Sequence, residues 1–373
     1  MSHRKISYYF DFNFGNFLFS FGHPMKPMRI NMVYELIKSY GLTNWINVKK
    51  GKSISYEELE NFHHEEHLFN LSCEKNTKKI HKIETFFPKT NGEDCPIFLG
   101  LTEFVNLYTR SSLSAALELS KKNTGIAVNW SGGFHHAKNS EFSGFCYVND
   151  IVISILELLK AFKKILYIDI DAHHGDGVEE AFYLSKRVLC LSFHNYQKFF
   201  FPESGCIENR GYRESRRYSL NFPVKSGLKD QSFHGIFRPI IDEILTTFSP
   251  DMIVLQAGAD SLSKDPIGKF NLSIKGHGKC IEILKNTKLP FLILGGGGYK
   301  ISNVSRCWTY ETSLLLHKEV SNKIPYNIYW TKYKKSFKLN FKVSNNSDRN
   351  SKKNLLILRE RIIRNVKKLK IRK

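Results

Sequence analysis

Asp171 and His173 stand two residues apart in the segment DIDAHHGDG, and Asp260 follows much later in AGADSLS. Two carboxylates and one imidazole can hold a divalent cation and leave one position open for water, the arrangement a zinc hydrolase needs. The same donors suit manganese or iron(II), and Asp171 and His173 read equally well as polar turn residues. His135 and His136 are adjacent and follow a Gly-Gly pair. Neighbouring imidazoles cannot easily turn both rings onto one ion, so acid–base work is the better use for them. Each would need a carboxylate to fix its tautomer, and Asp169 and Asp176, which flank the metal candidates, could serve. As a plainer alternative they are polar loop histidines. Tyr299 closes the glycine run 295–298, where the backbone can turn sharply and a phenol could donate to an oxygen gaining negative charge. That run lacks the GxxxxGK[ST] pattern, so no nucleotide cofactor is expected, and a plain turn is the alternative reading.

These residues follow short β-branched runs at 125–129, 165–169, 188–193, 252–256 and 291–294. Helical spacing of apolar residues fills 151–162 and 233–248. Strand alternating with helix predicts an α/β fold with a mainly parallel sheet, and in such sheets functional loops gather at the carboxyl ends of the strands. The five loops read NWSGGFHHAK, DIDAHHGDG, SFHNY, AGADSLS and GGGGY, and one crevice could collect them all.

A chain of 373 residues with 42% hydrophobic residues can bury a large core, and one catalytic domain is expected. The polar N-terminus does not read as a signal peptide, and no run of about 18 apolar residues marks a membrane span. Seven cysteines without a CxxC pair argue against a disulfide framework and fit a reducing compartment. Residues 321–373 carry 17 Lys and Arg against two acids, so +15 of the formal +21 sits there. Leu355, Leu358, Ile362, Val366 and Leu369 in that segment follow three- and four-residue spacing, which predicts a helix with one apolar face against the domain. The basic residues outside are either a solvated face or a contact for DNA.

Together the segments GHPMKPMRI at Gly22, GEDCPIFLGL at Gly92, NWSGGFHHAK at Asn129, SGFCYVNDI at Ser143, LYIDIDAHHGDGVEEAFY at Leu166, FNLSIKGHGKC at Phe270, LGGGGY at Leu294 and RCWTYET at Arg306 resemble the zinc-dependent histone deacetylase family, in particular its class I members. The resemblance covers nearly the whole chain and extends to the stretch from IPYNIYW onward. It implies an arginase/deacetylase-like three-layer α/β fold, with a catalytic domain at 1–320 and a basic segment at 321–373 packed on the same domain. It implies zinc on Asp171, His173 and Asp260, His136 as general base and then acid with Asp176 behind it, His135 backed by Asp169 as electrostatic partner, and Tyr299 on the acetyl carbonyl. Gly144 and Phe145, with Phe201 opposite and Ile267 nearby, would line a tunnel for the lysine stem, and Asp94 would hold the substrate backbone at the rim. A potassium ion is implied near Asp169, Asp171, His173, Ser192 and Phe193.

The activity so implied is hydrolysis of acetyl-lysine in histone tails, within a corepressor complex in the nucleus, with chromatin silencing as outcome. A deacylase of other acyl-lysines or of small acetylated amines, and an inactive chromatin scaffold, are the alternatives. Two departures matter. The loop NYQKFFFPESG is one residue longer than the family form and has Glu203 where glycine is expected, which bears on Phe201. Lys26 matches one basic residue used for an inositol phosphate, but Pro266 and Ser302 stand where two arginines would be, so that ligand and the usual corepressor contact are not carried over.

Overall fold

The computed structural model describes residues 5–72 and 94–369. Gly92 and Glu93, which open the motif GEDCPIFLGL, and residues 370–373 of the basic segment lie outside the described residues. Among the described residues eight strands form one sheet: β1 (Ile6–Tyr9), β2 (Asn47–Lys49), β3 (Ile126–Asn129), β4 (Ile165–Asp169), β5 (Val188–Asn195), β6 (Ser219–Val224), β7 (Met252–Gln256) and β8 (Phe291–Leu294). Their order is β2-β1-β3-β8-β7-β4-β5-β6, and every pairing is parallel.

Parallel strands need crossovers, and helices supply most of them: α1 (Met28–Ser39), α2 (Tyr56–Glu60), α3 (Glu65–Ser72), α4 (Leu101–Ser120), α5 (Asp150–Leu158), α6 (Asp176–Phe182), α7 (Asp230–Thr247), α8 (Ile274–Lys285), α9 (Ile301–Leu315) and α10 (Lys352–Lys367). Side chains alternate across a strand, so each strand feeds both faces. In β4, Leu166 and Ile168 join the core under α1, α7, α8 and α9, while Ile165 and Tyr167 join the core under α4, α5 and α6. Burial on both faces explains why the central strands read as near-continuous apolar runs.

The expected runs are strands, with β3 starting one residue later and β5 extending through His194 and Asn195. The helix at 151–162 runs Asp150–Leu158, because Asn149 caps it by accepting from the Val152 amide. The C-terminal helix α10 packs on α7, with Leu355, Ile362, Val366 and Leu369 buried and Leu358 packed against the same core. Ser351 caps its first turn, and Arg361 reaches Glu208 at 2.7 Å. Among the described residues no helix is long and apolar enough to cross a membrane.

Register aligns the carboxyl ends. Asn129 pairs with Leu294, Leu294 with Gln256, Gln256 with Asp169, and Asp169 with Ser192. Four chemistry-bearing loops therefore leave the sheet from one row.

Candidate metal centre and active site

The loop after β4 delivers Asp171 and His173, and the turn after β7 delivers Asp260. His173 Nδ1 lies 3.1 Å from Asp171 Oδ1 and 2.9 Å from Asp260 Oδ2, and one donor atom from each of the three falls within 4.8 Å of the others. All three are buried. Their other atoms are already spoken for: Asp171 Oδ2 accepts from Gln256 Nε2 and from the Gly297 amide, both at 2.9 Å, and Asp260 Oδ1 accepts from the Ala172 amide at 2.8 Å. Gly297 is forced by this approach, since a Cβ there would sit 2.1 Å from Asp260 Oδ2.

The electrostatics call for a cation. Burial pushes the Asp260 carboxyl up, and the neighbouring Asp171 charge pushes it further. Burial also works against the charge on Asp171, but the His135 and His173 imidazoles outweigh it and hold that carboxyl well below its usual range. Burial opposes charge on His173 too, yet Asp260 and Asp171 raise it to about 10. The three groups thus trap a proton among them. Two carboxylate oxygens and an imidazole nitrogen converging in a buried space are equally the donor set of a divalent metal, so the residues fit one.

The loop after β3 brings the histidine pair. Asp150, at the start of α5, accepts from the Gly133 amide at 3.0 Å and the Phe134 amide at 2.9 Å, which fixes the loop. His135 Nδ1 lies 2.7 Å from Asp169 Oδ2, and His136 Nδ1 lies 2.7 Å from Asp176 Oδ1. On the far side of Asp176, Lys138 Nζ approaches Oδ2 at 2.7 Å. Environment splits the pair. Burial disfavours charge on His135, but Asp169 and Asp171 overcome it and raise its pKa to about 9. His136 is driven down to about 3 by burial and by the His135 charge, against the pull of Asp176. His136 therefore donates Nδ1–H to Asp176 and keeps a bare Nε2.

After β8 the glycine run is clamped from behind: Arg29 donates to the Gly298 and Gly296 carbonyls, both at 2.6 Å, and lies over the Trp308 ring. Asp265 accepts from the Tyr299 amide at 2.8 Å. Burial, reinforced by Asp260, raises the Tyr299 phenol well above its ordinary pKa, so it stays a hydrogen-bond donor. Tyr299, His135, His136, Gly144 and Met25 line one cavity of about 10 Å³.

Gly144 and Phe145 sit at the tip of a two-residue turn closed by the reciprocal Ser143–Cys146 backbone bonds, both at positive φ (52° and 68°). That is the combination a type I′ turn requires, and it is costly for Phe145. The turn sets the Phe145 ring edge-on to Tyr299 at 5.6 Å, while Phe201 meets His136 edge-on at 4.9 Å. Asp94 is exposed, and its carbonyl contacts His23, whose ring in turn meets Phe145. Ile267 is half-buried and tied through Asp265 to Tyr299.

Not every expected loop converges. His194 from SFHNY turns away, its Nδ1 paired with Ser192 Oγ at 2.8 Å and its Nε2 with the Gly205 carbonyl at 2.8 Å. The Phe193 ring packs on Phe222, Phe233 and Phe237 inside the core, so only its backbone could reach an ion. The sequence reading missed Arg29, Lys138, Gln256 and Asp265, and also Phe200, whose ring stacks on His173 at 4.9 Å. Phe200 had a signal in the FFFP run, and Lys138 in its place beside the histidine pair; the other three act across distances that no local spacing announces.

Fold and site define a class: a parallel α/β protein with an Asp/His/Asp cluster that could hold a metal, flanked by a charge-split histidine pair. Comparison with known proteins gives the family. Residues 23–315 match the histone deacetylase domain. The chain is 45% identical over 366 residues to histone deacetylase 1 of Homo sapiens, covering 98% of this chain and 76% of that protein. It is 46% identical over 370 residues to a histone deacetylase of Drosophila melanogaster, covering 99% and 70%, and 45% identical over 366 residues to a probable histone deacetylase 1-B of Xenopus laevis, covering 98% and 76%. The chain belongs to the histone deacetylase family.

Proposed function

We propose that this chain hydrolyses the amide of N-ε-acetyl-lysine in histone tails and so contributes to transcriptional repression. The observation that carries this reading is His136, held neutral with its Nδ1 on Asp176, lining the same cavity as Tyr299 beside the Asp171–His173–Asp260 cluster. In this reading Asp171, His173 and Asp260 hold zinc, which when bound supplies a Lewis acid for the amide carbonyl and acidifies water. The bare Nε2 of His136 takes the proton of the attacking water and returns it to the leaving amine. Tyr299 donates to the carbonyl oxygen as negative charge develops there. His135, positive beside Asp169, adds favourable potential for that charge. Phe145 and Phe201 flank the lysine stem with Gly144 between them, Ile267 adds an apolar wall, and Asp94 at the rim accepts from the substrate backbone.

Residues 1–320 form the catalytic domain in this reading, and 321–373 a basic segment packed upon it. A potassium ion near Asp169, Asp171, His173, Ser192 and Phe193 is the second cation; Asp169 and Ser192 already have side-chain partners, so backbone oxygens would carry most of its shell. Partners are acetylated histones and a corepressor complex in the nucleus, and the exposed C-terminal basic residues are read as a solvated face. Inositol phosphate is not part of the reading, because Pro266 and Ser302 offer no charge.

The test is metal analysis of the purified chain beside an acetyl-lysine peptide assay, with acetyl, crotonyl and free-amine substrates in parallel. Stoichiometric zinc with chelator-sensitive release of acetate from the peptide is expected. No turnover of any acetyl-lysine peptide by metal-loaded protein would refute the assignment.

A further inference from the structure

Because all eight strands run the same way, every strand begins on one face of the molecule and ends on the other. The ending face carries Asp171, Asp176, Asp260 and Asp265. The beginning face is mainly basic: Lys121 and Lys122 lead into β3, Lys163 and Lys164 into β4, and Lys186 and Arg187 into β5, with one exposed acid, Asp251 before β7, accepting from the Lys163 and Lys164 amides. Lys121, Lys122, Lys163, Lys186 and Arg187 are exposed. Two of the six have structural duties, with Lys164 Nζ on the Phe248 carbonyl at 2.9 Å and Arg187 on the Phe162 carbonyl at 2.9 Å, at the end of the helical turns that follow α5. Lys163, Lys164, Lys186 and Arg187 line one surface cavity of about 420 Å³ together with Glu214 and with Leu369, which follows α10. The described ion pairs include none for these four residues.

We infer that this strand-entry face is a docking surface for the phosphate backbone of double-stranded DNA, on the side of the molecule opposite the catalytic mouth. The inference goes beyond the deacetylase reading and stands without it. β3 and β5 are separated by β8, β7 and β4, four strand spacings of about 4.8 Å, so the basic strip is roughly 19 Å wide. A duplex carries one phosphate charge per roughly 1.7 Å of axis with both strands counted, so a duplex lying along the strip carries about 11 over that length, only part of them facing it. Single strands demand aromatic stacking platforms, and of the aromatics beside these basic pairs Phe162 is buried and Tyr218, which also lines the cavity, is half-buried with its ring edge-on to Phe248. A duplex bound here leaves the catalytic mouth, on the opposite face, uncovered.

Fluorescence anisotropy of the full chain with a mixed-sequence 25-base-pair duplex tests this. About four phosphate contacts give a slope of log K against log salt near −3.6, roughly a hundredfold weakening between 50 and 200 mM. The variant Lys121→Gln/Lys122→Gln/Lys163→Gln/Lys186→Gln is expected to lose that dependence by about one unit of slope per contact removed. A second variant, Lys352→Gln/Lys353→Gln/Arg364→Gln/Lys367→Gln on α10, is expected to bind as the parent does. Turnover of a short acetyl-lysine peptide, read on the same samples, should be equal in all three and reports separately on the catalytic reading. The inference is overturned by no duplex binding at 50 mM salt, by loss that follows the α10 variant instead, or by tighter binding to phosphatidylserine vesicles than to the duplex.

Discussion

Replacing Gly144 by alanine puts the proposed roles under direct strain. A Cβ at this position would fall 2.5 Å from His136 Cδ2 and 2.8 Å from Phe201 Cε1. Carbon atoms rest at about 3.5 Å, so the imidazole would have to retreat by about 1 Å and the phenyl ring by about 0.7 Å. Positive φ at residue 144 adds about 1 kcal/mol of backbone strain for alanine. Phe201 is 39% exposed and can swing outward, whereas His136 is buried and tied to Asp176 at 2.7 Å. Movement shared between them misplaces the base, and a shift of about 1 Å can cost on the order of a hundredfold in rate. The expected outcome for Gly144→Ala is a kcat lowered about 30- to 100-fold with KM changed less than about fivefold, and a melting temperature down by only a few degrees. The assay is steady-state turnover of an acetyl-lysine peptide, with thermal melts on the same preparations. A variant within twofold of the parent in kcat, with its rise confined to KM, would show that displacing the His136 ring costs nothing in turnover and that His136 is not the base held against this turn.

Tyr299→Phe removes the phenol and keeps the ring, so kcat should fall about 10²- to 10³-fold with unchanged fold, and activity within fivefold of the parent would count against the oxyanion role. Chelation should abolish turnover and lower the melting temperature, and added zinc should restore both; a chain equally active after exhaustive chelation has no catalytic metal. Asp260→Ala should prevent that rescue, and retention of stoichiometric zinc by the variant would remove Asp260 from the ligand set. His63 and His67, stacked with centroids 4.6 Å apart, are lowered to about 3 and about 4 by burial, their mutual repulsion adding for His63. Depressed folded values mean the unfolded chain binds protons first, so this stability is whole above about pH 6.5 and is lost as pH falls through 4 to 3. At pH 5 each costs about 2 kcal/mol relative to pH 7. His63→Gln should flatten the stability loss between pH 7 and 5 by about that amount, and a slope as steep as the parent's would refute the burial argument.

The central sheet was readable because its strands are buried on both faces and so write themselves as unbroken apolar runs. β1, β2 and β6 were not: β2 is three residues long and largely exposed, β1 reads ISYY, with a serine and two tyrosines and a single β-branched residue, and β6 interleaves Asn221 and Pro223. The helix α10 announced itself by spacing, since its apolar side chains occur only on the buried stripe apart from Leu356 and Ile357, which are exposed. The chemistry-bearing residues stood out by type, as clustered Asp and His in strand-end loops. What supports them did not. Arg29 reaches carbonyls 267 and 269 residues away, and Asp150 holds the histidine loop from the start of the next helix. A side chain that acts by holding someone else's backbone leaves no periodicity, and only tertiary contact reveals it. Glu203 is legible in both directions: glycine is expected there, and the residue sits at φ 61°, the left-handed region that glycine favours.

Two identical neighbouring side chains would titrate together in water, and the site depends on their not doing so. The rings of His135 and His136 have centroids 4.0 Å apart. A unit charge at that range in a partly shielded interior repels another by about 4 kcal/mol, which is about three pK units. Burial is the larger cause of the fall of His136 to about 3, and this repulsion adds to it in the same direction. The charge on His135 is itself sustained by Asp169, which also accepts from Tyr167, and by Asp171. A divalent ion at Asp171 would compete for that carboxylate and weaken its hold on the His135 proton, leaving Asp169 as the chief support. In the proposed reading, metal loading, the protonation of His135 and the basicity of His136 would be one coupled balance, with Asp169 the chief support of the His135 charge once the ion is bound.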